Sequence, residues 1–574
     1  MTRGAPGPLR ALAVWSARIA IVLVGLSCRT AAAAETPADD DDVIEIVEED
    51  GDGGGAEKKS PKSPDDGDEE IVEVVEADGD GHKKKTATPK ADAAPAPTST
   101  LMLRGFARAT GLGGIETRPH APENAPLEER VPYERAAMMQ QVYAEVRYAR
   151  GDSLRAVLSG SLAYSLRLTE GSALESGPAR AIKSGQLEPV LREAYVGFFS
   201  SRADLRIGQQ RIVWGNSDAI TPNDILNARD MRTRTLMDPE LVHLPTLAAR
   251  ANVELGRLTL GVVAQPFFVP DRTSLYGGSW AIIQPDTPRT QRRLFGLYAR
   301  DTKDVNADDA PPGLVDSRAP TKLLEGASVG VSAKVNLGGA DISFYYHWGH
   351  DRTPFVYLDP VLAKRIDAAP PGAVNGTVID ALLDQRKTAE AAYGGPLLLQ
   401  YVRRHHVGFD ASTTIGPLVV RTDMAFDSAS TFFSRATMNS IARPTAQGVL
   451  GLEYSASSEK AVLLEGWYMR LFDQEVPVVP TLAQANTGPV LFAERDNVGV
   501  AAAMRWPLGG GFLVETRAFI GVTPRWYMVR PEVGWASSTF TIRAGAIIVD
   551  GEAGSTGGHY RRNDGAYLTA RYTF

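Results

Sequence analysis

The sequence predicts an all-β fold: a transmembrane antiparallel β-barrel of about 18 strands, with 16 as the alternative count. Three observations predict it. Segments of about ten residues alternate apolar and polar from Leu101 to the end, as strands between lipid and water must. The connections between those segments take turns, one short and the next long. The chain closes on an alternating segment ending in Phe574.

The first hundred residues precede this pattern. Residues 1–34 read as a secretory signal peptide. Arg3 and Arg10 make a basic start, Ile19–Ser27 an apolar core, and Ala32-Ala33-Ala34 a small-residue cleavage site before Glu35. Cys28 raises a lipoprotein alternative, but Gly25 stands where such a signal wants Leu. One cysteine in the chain excludes a disulfide scaffold and a Cys-rich zinc site. Cleavage before Glu35 leaves a cysteine-free chain, which suits an oxidising compartment. No run of apolar residues is long enough for a membrane helix.

Residues 35–100 carry 21 acidic residues and 7 lysines, with no Phe, Trp or Tyr. Such a segment buries too little apolar surface to offset its ordering entropy, so it reads as a disordered periplasmic linker. Residues 44–53 recur as 72–81, from Ile44-Glu45-Ile46-Val47 to Val72-Glu73-Val74-Val75 and on through Asp-Gly-Asp-Gly. The two copies fit either docking motifs for a periplasmic partner or a solvated acidic tether. With the signal at +4 and the linker at −14, residues 101–574 keep only +2 of the net charge of −8. That segment holds the barrel.

Strands are expected near 101–110, 138–150, 153–168, 190–200, 203–214, 246–256, 258–268, 325–337, 340–351, 400–415, 417–428, 447–456, 460–472, 496–506, 511–522, 526–536, 539–550 and 566–574. The clearest spans Ser153–Thr169. Leu154, Leu158, Leu162 and Leu166 lie on one face; Arg155, Ser159, Ser161 and Arg167 lie on the other. Turns as short as Gly256-Arg257 and Gly416-Pro417 alternate with long connections such as 215–245 and 269–324. Tight turns at one end and long loops at the other are the habit of outer-membrane barrels. The last strand sets Ala566, Leu568, Ala570, Tyr572 and Phe574 on one face against Tyr567, Thr569, Arg571 and Thr573 on the other. Its Tyr572 and Phe574 resemble the signal read by the outer-membrane assembly machinery. The outer surface would then meet membrane lipid and lipopolysaccharide.

The inward faces hold charges of both signs with arginine in excess, including Arg155, Arg167, Arg206 and Arg250. They suit either a lumen for anionic or polar solutes or paired charges that fill the wall. Outward aromatics, among them Phe344, Trp348, Trp467 and Trp535, would form the interface belts.

One region carries a motif. It reads Arg192-Glu193-Ala194-Tyr195, then Gly208-Gln209-Gln210-Arg211, Trp214-Gly215-Asn216-Ser217-Asp218, Thr221-Pro222-Asn223-Asp224, Arg229-Asp230 and Leu244-Pro245-Thr246. It resembles an uncharacterised family of bacterial outer-membrane barrels, a domain of unknown function. Thr221-Pro222 stands where that family has Asn-Pro. The resemblance implies a barrel and movement of small or hydrophobic substrates across the outer membrane, and it assigns no chemistry. From the residues themselves, a loop this rich in Asp, Asn, Pro and Arg is expected to fold inward and narrow the lumen. Arg211, Trp214, Asp218, Asp224, Arg229, Asp230, Arg232 and Arg234 are its constriction candidates, with Arg229, Arg232 and Arg234 facing the three aspartates. A brace on the wall, away from solute, is the competing expectation.

No catalytic group, metal or cofactor is expected. Gly326-Ala327-Ser328-Val329-Gly330 matches a nucleophile elbow but lies in an alternating strand with no helix after it. His347 and His350 fall on opposite faces, as do His405 and His406. The barrel is not basic enough for nucleic acid. Short helices are expected within 283–300 and 360–393, on outer loops. The reading is a porin-like channel of the Gram-negative outer membrane. The alternatives are a lipid conduit working with periplasmic and inner-membrane partners, and a lipid-acting barrel enzyme.

Overall fold

The computed structural model describes residues 99–574, apart from 115–133, 170–173, 177–186, 233–238, 277–278, 286, 291, 293–314, 321, 359–363, 365–367, 369–396, 458–459, 477 and 479–488. The expected signal and nearly all of the acidic linker fall outside these residues, as do most of the two segments expected to be helical.

The described chain is a closed antiparallel barrel of 18 strands. In chain order these are β1 (Ser99–Gly114), β2 (Glu134–Arg150), β3 (Leu154–Thr169), β4 (Leu187–Phe199), β5 (Ala203–Gln210), β6 (Thr246–Leu255), β7 (Leu258–Gln265), β8 (Ser328–Asn336) and β9 (Ala340–His350). The second half is β10 (Arg403–Ile415), β11 (Leu418–Phe433), β12 (Ser440–Ser457), β13 (Lys460–Leu471), β14 (Asp496–Gly509), β15 (Phe512–Thr523), β16 (Trp526–Ala536), β17 (Phe540–Gly551) and β18 (Gly565–Thr573). Each strand pairs with its neighbour in sequence, and β1 meets β18 from Phe106↔Thr573 to Gly114↔Gly565. Phe574 extends that seam, exchanging backbone hydrogen bonds with Gly105 at 2.8 and 2.9 Å. A bilayer core offers no partner to a free strand edge, so this closure is what makes a spanning sheet possible.

Alternation decides the two surfaces. In β11, Arg421, Asp423, Ala425 and Asp427 are buried on the inner face, while Met424 and Phe426 are exposed on the outer one. Leu158, Val262, Phe344, Leu450, Ile520, Val533 and Leu568 continue the exposed apolar surface round the wall. Soluble proteins rarely leave so continuous an apolar band uncovered.

Three details differ from expectation. The strand expected to run to 214 ends at Gln210, because the chain turns inward there. Trp467 lies on the inner face of β13, beside Leu463 and Glu465, and its ring fills the space above Gly499; Tyr468 is the outward aromatic. The connection from β11 to β12, expected to span 429–446, is only residues 434–439, because both strands run on past their expected ends.

Candidate functional site

The connection from β5 to β6, residues 211–245, does not stay between those strands. Its first limb, 211–227, reaches the inward faces of β9, β10, β11 and β13. Its return limb, 228–245, reaches β1, β2, β4 and β18. In a ring of 18 strands, β11 and β2 stand half the circumference apart, so this strap crosses the lumen.

The first limb starts in a buried apolar knot. Ile212, Trp214 and Leu226 pack on Ala248 of β6 and Val263 of β7, and Trp214 stacks on Tyr345 with ring centroids 4.9 Å apart. Asn227 spans the knot, accepting from Ile212 N and donating to its carbonyl. Gly215 follows at φ +91°, where an added Cβ would overlap Asp423. Only glycine adopts that backbone freely and also lets the strap approach so closely.

Beyond the knot, the limb is held by the wall's carboxylates. Asn216 Nδ2 donates to Asp410 at 2.7 Å. The backbone N–H groups of Asp218, Ala219 and Ile220 donate to the Glu465 carboxylate at 2.8, 3.1 and 3.1 Å. Asp218 pairs with Arg421, which also holds Glu453 at 2.8 Å. The Asn223 amide donates to Asp423 and to the carbonyls of Phe409 and Met424, and its oxygen meets His406 Nε2 at 3.0 Å. It enters over Gly408, where a Cβ would overlap it. Asp410 and Asp423 are direct partners in the β10–β11 register. Like charges so placed destabilise a sheet, and the strap's two amides offset that. Burial pushes the Asp218 carboxyl up to about 6; Arg421 opposes the rise, while Glu465 and Glu453 add to it.

The return limb is fastened by ion pairs. Asp224, near the end of the first limb, takes Arg229 and His243 Nε2 of the return limb at 2.9 and 2.7 Å. Burial alone would raise its carboxyl, but His243 and Arg229 together hold it at about 2. The buried Asp230 takes Arg232 at 2.6 Å and Arg272 at 3.5 Å, and both guanidiniums continue to Glu188 of β4. Arg192, buried in β4, donates to the carbonyls of Leu241 and His243 at 2.8 and 3.0 Å. Leu241 packs on Phe106, Ala137 and Met139, and Glu240 meets Arg571 of β18 at 3.3 Å. Gln265 Nε2 of β7 ties the end of the first limb to the start of β6, donating to Leu226 O at 2.7 Å and Thr246 Oγ1 at 2.6 Å.

The other expected residues fall as follows. Arg211 is exposed where the strap begins, its N–H accepted by Glu193 at 2.9 Å. Arg206 and Arg250 are direct register partners on the inner wall. The Arg155 guanidinium sits 4.9 Å over the Phe199 ring. Arg234 and the side chain of Arg167 lie outside the described residues. Asp218 was expected opposite the loop's own arginines and pairs instead with Arg421 on the far wall. Sequence reasoning did not assign Asn216, Asn223 or Arg192, although all three stand inside the motif. Arg421 and Glu465 carry no local signal. Ser328 lies in β8 and donates to Gln265 at 2.7 Å. His406 is fully buried while His405 faces outward. Among the described residues, no group of three or more His, Cys, Asp or Glu is placed to hold a metal.

A second connection also crosses. Trp280, between β7 and β8, packs on Ile547, Val549, Tyr560 and Tyr567 of the β17–β18 region, and His559 Nε2 meets Ile282 O at 2.8 Å.

A family model described as a protein of unknown function (DUF1302) matches residues 134–451, more than half of the chain. No curated protein matches. Solved structures similar to the barrel include OccK5 (OpdH) of Pseudomonas aeruginosa, at 11% identity and a TM-score of 0.38, covering 83% of this chain and 98% of that one. Another is OccAB3 of Acinetobacter baumannii, at 11% and 0.41, covering 83% and 99%. A third is the outer membrane channel DcaP of the same organism, at 10% and 0.37, covering 83% and 97%. Likeness at this level says nothing of solute.

Proposed function

The chain belongs to the DUF1302 family, and from that premise we propose that it is a porin-like channel of the Gram-negative outer membrane. Small polar or anionic solutes cross its charged lumen, narrowed by the strap at 215–245. The observation that carries this reading is the strap itself. A brace confined to the wall would bond to its neighbours β4 to β7. This one is fixed to Glu465 on one side and to β1, β2 and β18 on the other. A solute in the lumen must pass beside it. The exposed apolar band round 18 paired strands supports the membrane setting. A lipid conduit would be favoured by a lateral gap, and every strand is paired with both its neighbours round the ring, the β1–β18 seam included.

Deleting residues 219–240 tests the reading in planar bilayers. Single-channel conductance is expected to rise several-fold, since conduction scales with the open section. Unchanged conductance in a folded barrel would remove the constriction from the proposal.

A further inference from the structure

The wall is not equally tall all round. β5, β6, β7 and β8 run for 8, 10, 8 and 9 residues, while β1 to β4 run for 16, 17, 16 and 13. Eight residues rise about 27 Å along a strand, and a tilt near 45° leaves about 19 Å of height. The apolar band of an outer-membrane barrel is about 25 Å tall. β5 and β7 fall short of it. A short span is relieved by thinning the bilayer or by oligomerising.

Composition marks the same four strands. None of them contains Phe, Trp or Tyr, and every other strand of the ring has at least one. Aromatic girdles belong where a wall meets lipid headgroups. Apart from Gln209, the outward positions here are aliphatic and uncharged, with Ile207, Leu247, Val253, Val262 and Val331 exposed. From inside, the knot of Ile212, Trp214 and Leu226 backs the same strands at Ala248 and Val263.

The neighbouring edge points the same way. The β4–β5 ladder ends at Ala194↔Gln209, and β4 goes on to Leu187. Gln209 Nε2 donates to Leu191 O at 2.8 Å in place of a ladder bond, and Pro189, two residues on along that edge, has no N–H to leave unpaired. The wall is low here rather than open. Leu187 and Leu191 still point outward, at 62% and 51% exposure, beside the exposed Leu158 and Leu162 of β3. Lipid does not accept an open strand edge, and water does not favour bare leucines. A protein surface suits both.

We propose that β5 to β8 are the surface through which this chain packs against a second copy of itself in the membrane. A second copy has a wall that is low in the same place and to the same height. Two such faces cover each other, and neither is left short in lipid. An uncharged aliphatic face gives a foreign partner no charge to recognise, and it complements its own copy. Four tilted strands present on the order of 500 Å² in projection; side-chain relief and the β4 edge bring the accessible area toward the roughly 800 Å² per partner of a specific complex. The contact lies on the outer wall and stands whatever crosses the lumen.

Photo-crosslinking of the full chain in intact outer membranes tests it. Val262→p-benzoylphenylalanine puts the probe on β7. Val533→p-benzoylphenylalanine puts it on β16, half the ring away and equally outward. Illumination is expected to give a product of twice the protomer mass from Val262 and none from Val533. Val331→p-benzoylphenylalanine, on β8, repeats the test if the Val262 variant does not insert. No such product from either position in folded barrel would mean that lipid covers the low wall, and overturns the inference. Equal products from Val262 and Val533 overturn it as well, since chance encounter then explains both. A product that joins Val262 to a different protein overturns the second copy as occupant.

Discussion

The two limbs of the strap are fastened by opposite chemistry. The first limb brings neutral amides and backbone N–H groups to carboxylates that belong to the wall, at Asp410, Asp423 and Glu465. The return limb is held by ion pairs: its Arg229 takes Asp224 at the end of the first limb, and its own Asp230 takes Arg232. The difference shows in two aspartates of the strap, one turned to the wall and one to the return limb. Asp218, in the first limb, is pushed up to about 6 by burial among carboxylates that one arginine only partly balances. Asp224 is held at about 2 by a histidine and an arginine of its own loop. A polar segment can therefore be seated in a lumen in two ways. It can satisfy charges already there, or carry matched charges with it.

Breaking the return limb should have the larger effect. Arg232 is buried between Asp230 and Glu188. Arg232→Ala leaves a buried carboxylate short of its main partner, which typically costs about 3–5 kcal/mol. The expected outcome is a strap that opens to protease while the barrel keeps its heat-resistant form on gels. A protease-resistant strap would mean that Arg272 suffices for Asp230.

Asn223→Ala attacks the first limb. It removes donors from two carbonyls and from Asp423, and an acceptor from His406. Unsatisfied buried groups cost about 1–3 kcal/mol each, and water entering from the lumen recovers part of that, so about 2 kcal/mol is expected. Unfolding in denaturant, followed by tryptophan fluorescence, measures it. Gly408→Ala should act in the same direction, because its methyl would displace the same amide.

The smallest effect is of pH, and its sign differs between the two aspartates. A raised carboxyl contributes stability that is full below its ordinary 3.8 and is lost as pH rises through about 6; this is Asp218, which faces Arg421 of β11, Glu453 of β12 and Glu465 of β13. A lowered one contributes stability present above 3.8 and lost as pH falls through about 2; this is Asp224. These two groups together hold the strap best near pH 4. Conductance is expected to climb modestly between pH 4 and pH 7 and to lose most of that slope in Asp218→Asn. A slope unchanged by that substitution would place the titrating group elsewhere.

Much of this was legible in the sequence, because period-2 alternation reports directly on a wall with two solvents. All 18 strands stood near their expected places, and Ser153–Thr169 shows its expected faces wherever its side chains are described. Alternation failed at Trp467, because an aromatic is at home on either face and the glycine that makes room for it, Gly499, lies on the next strand. The motif between Arg192 and Thr246 also gave up its physical content. Its asparagines and aspartates are the strap's fasteners, its Trp-Gly step is the knot and the close approach, and its first arginine grips the returning chain. What could not be read was where the fasteners land. Arg421 and Glu465 look like any other inward charges, and only closure of the barrel brings them to Asp218.

That last distance in sequence bears on how the protein is made. Asp218 and Glu465, joined through a backbone N–H, are 247 positions apart. Contacts of such long range form slowly, because the intervening chain must be ordered before they return anything. The first limb cannot close its backbone bonds to Glu465 until β13 has joined the wall. A chain stalled with half a wall would hold the knot on β6, β7 and β9 but lack the far anchor that makes the loop a bar across the opening.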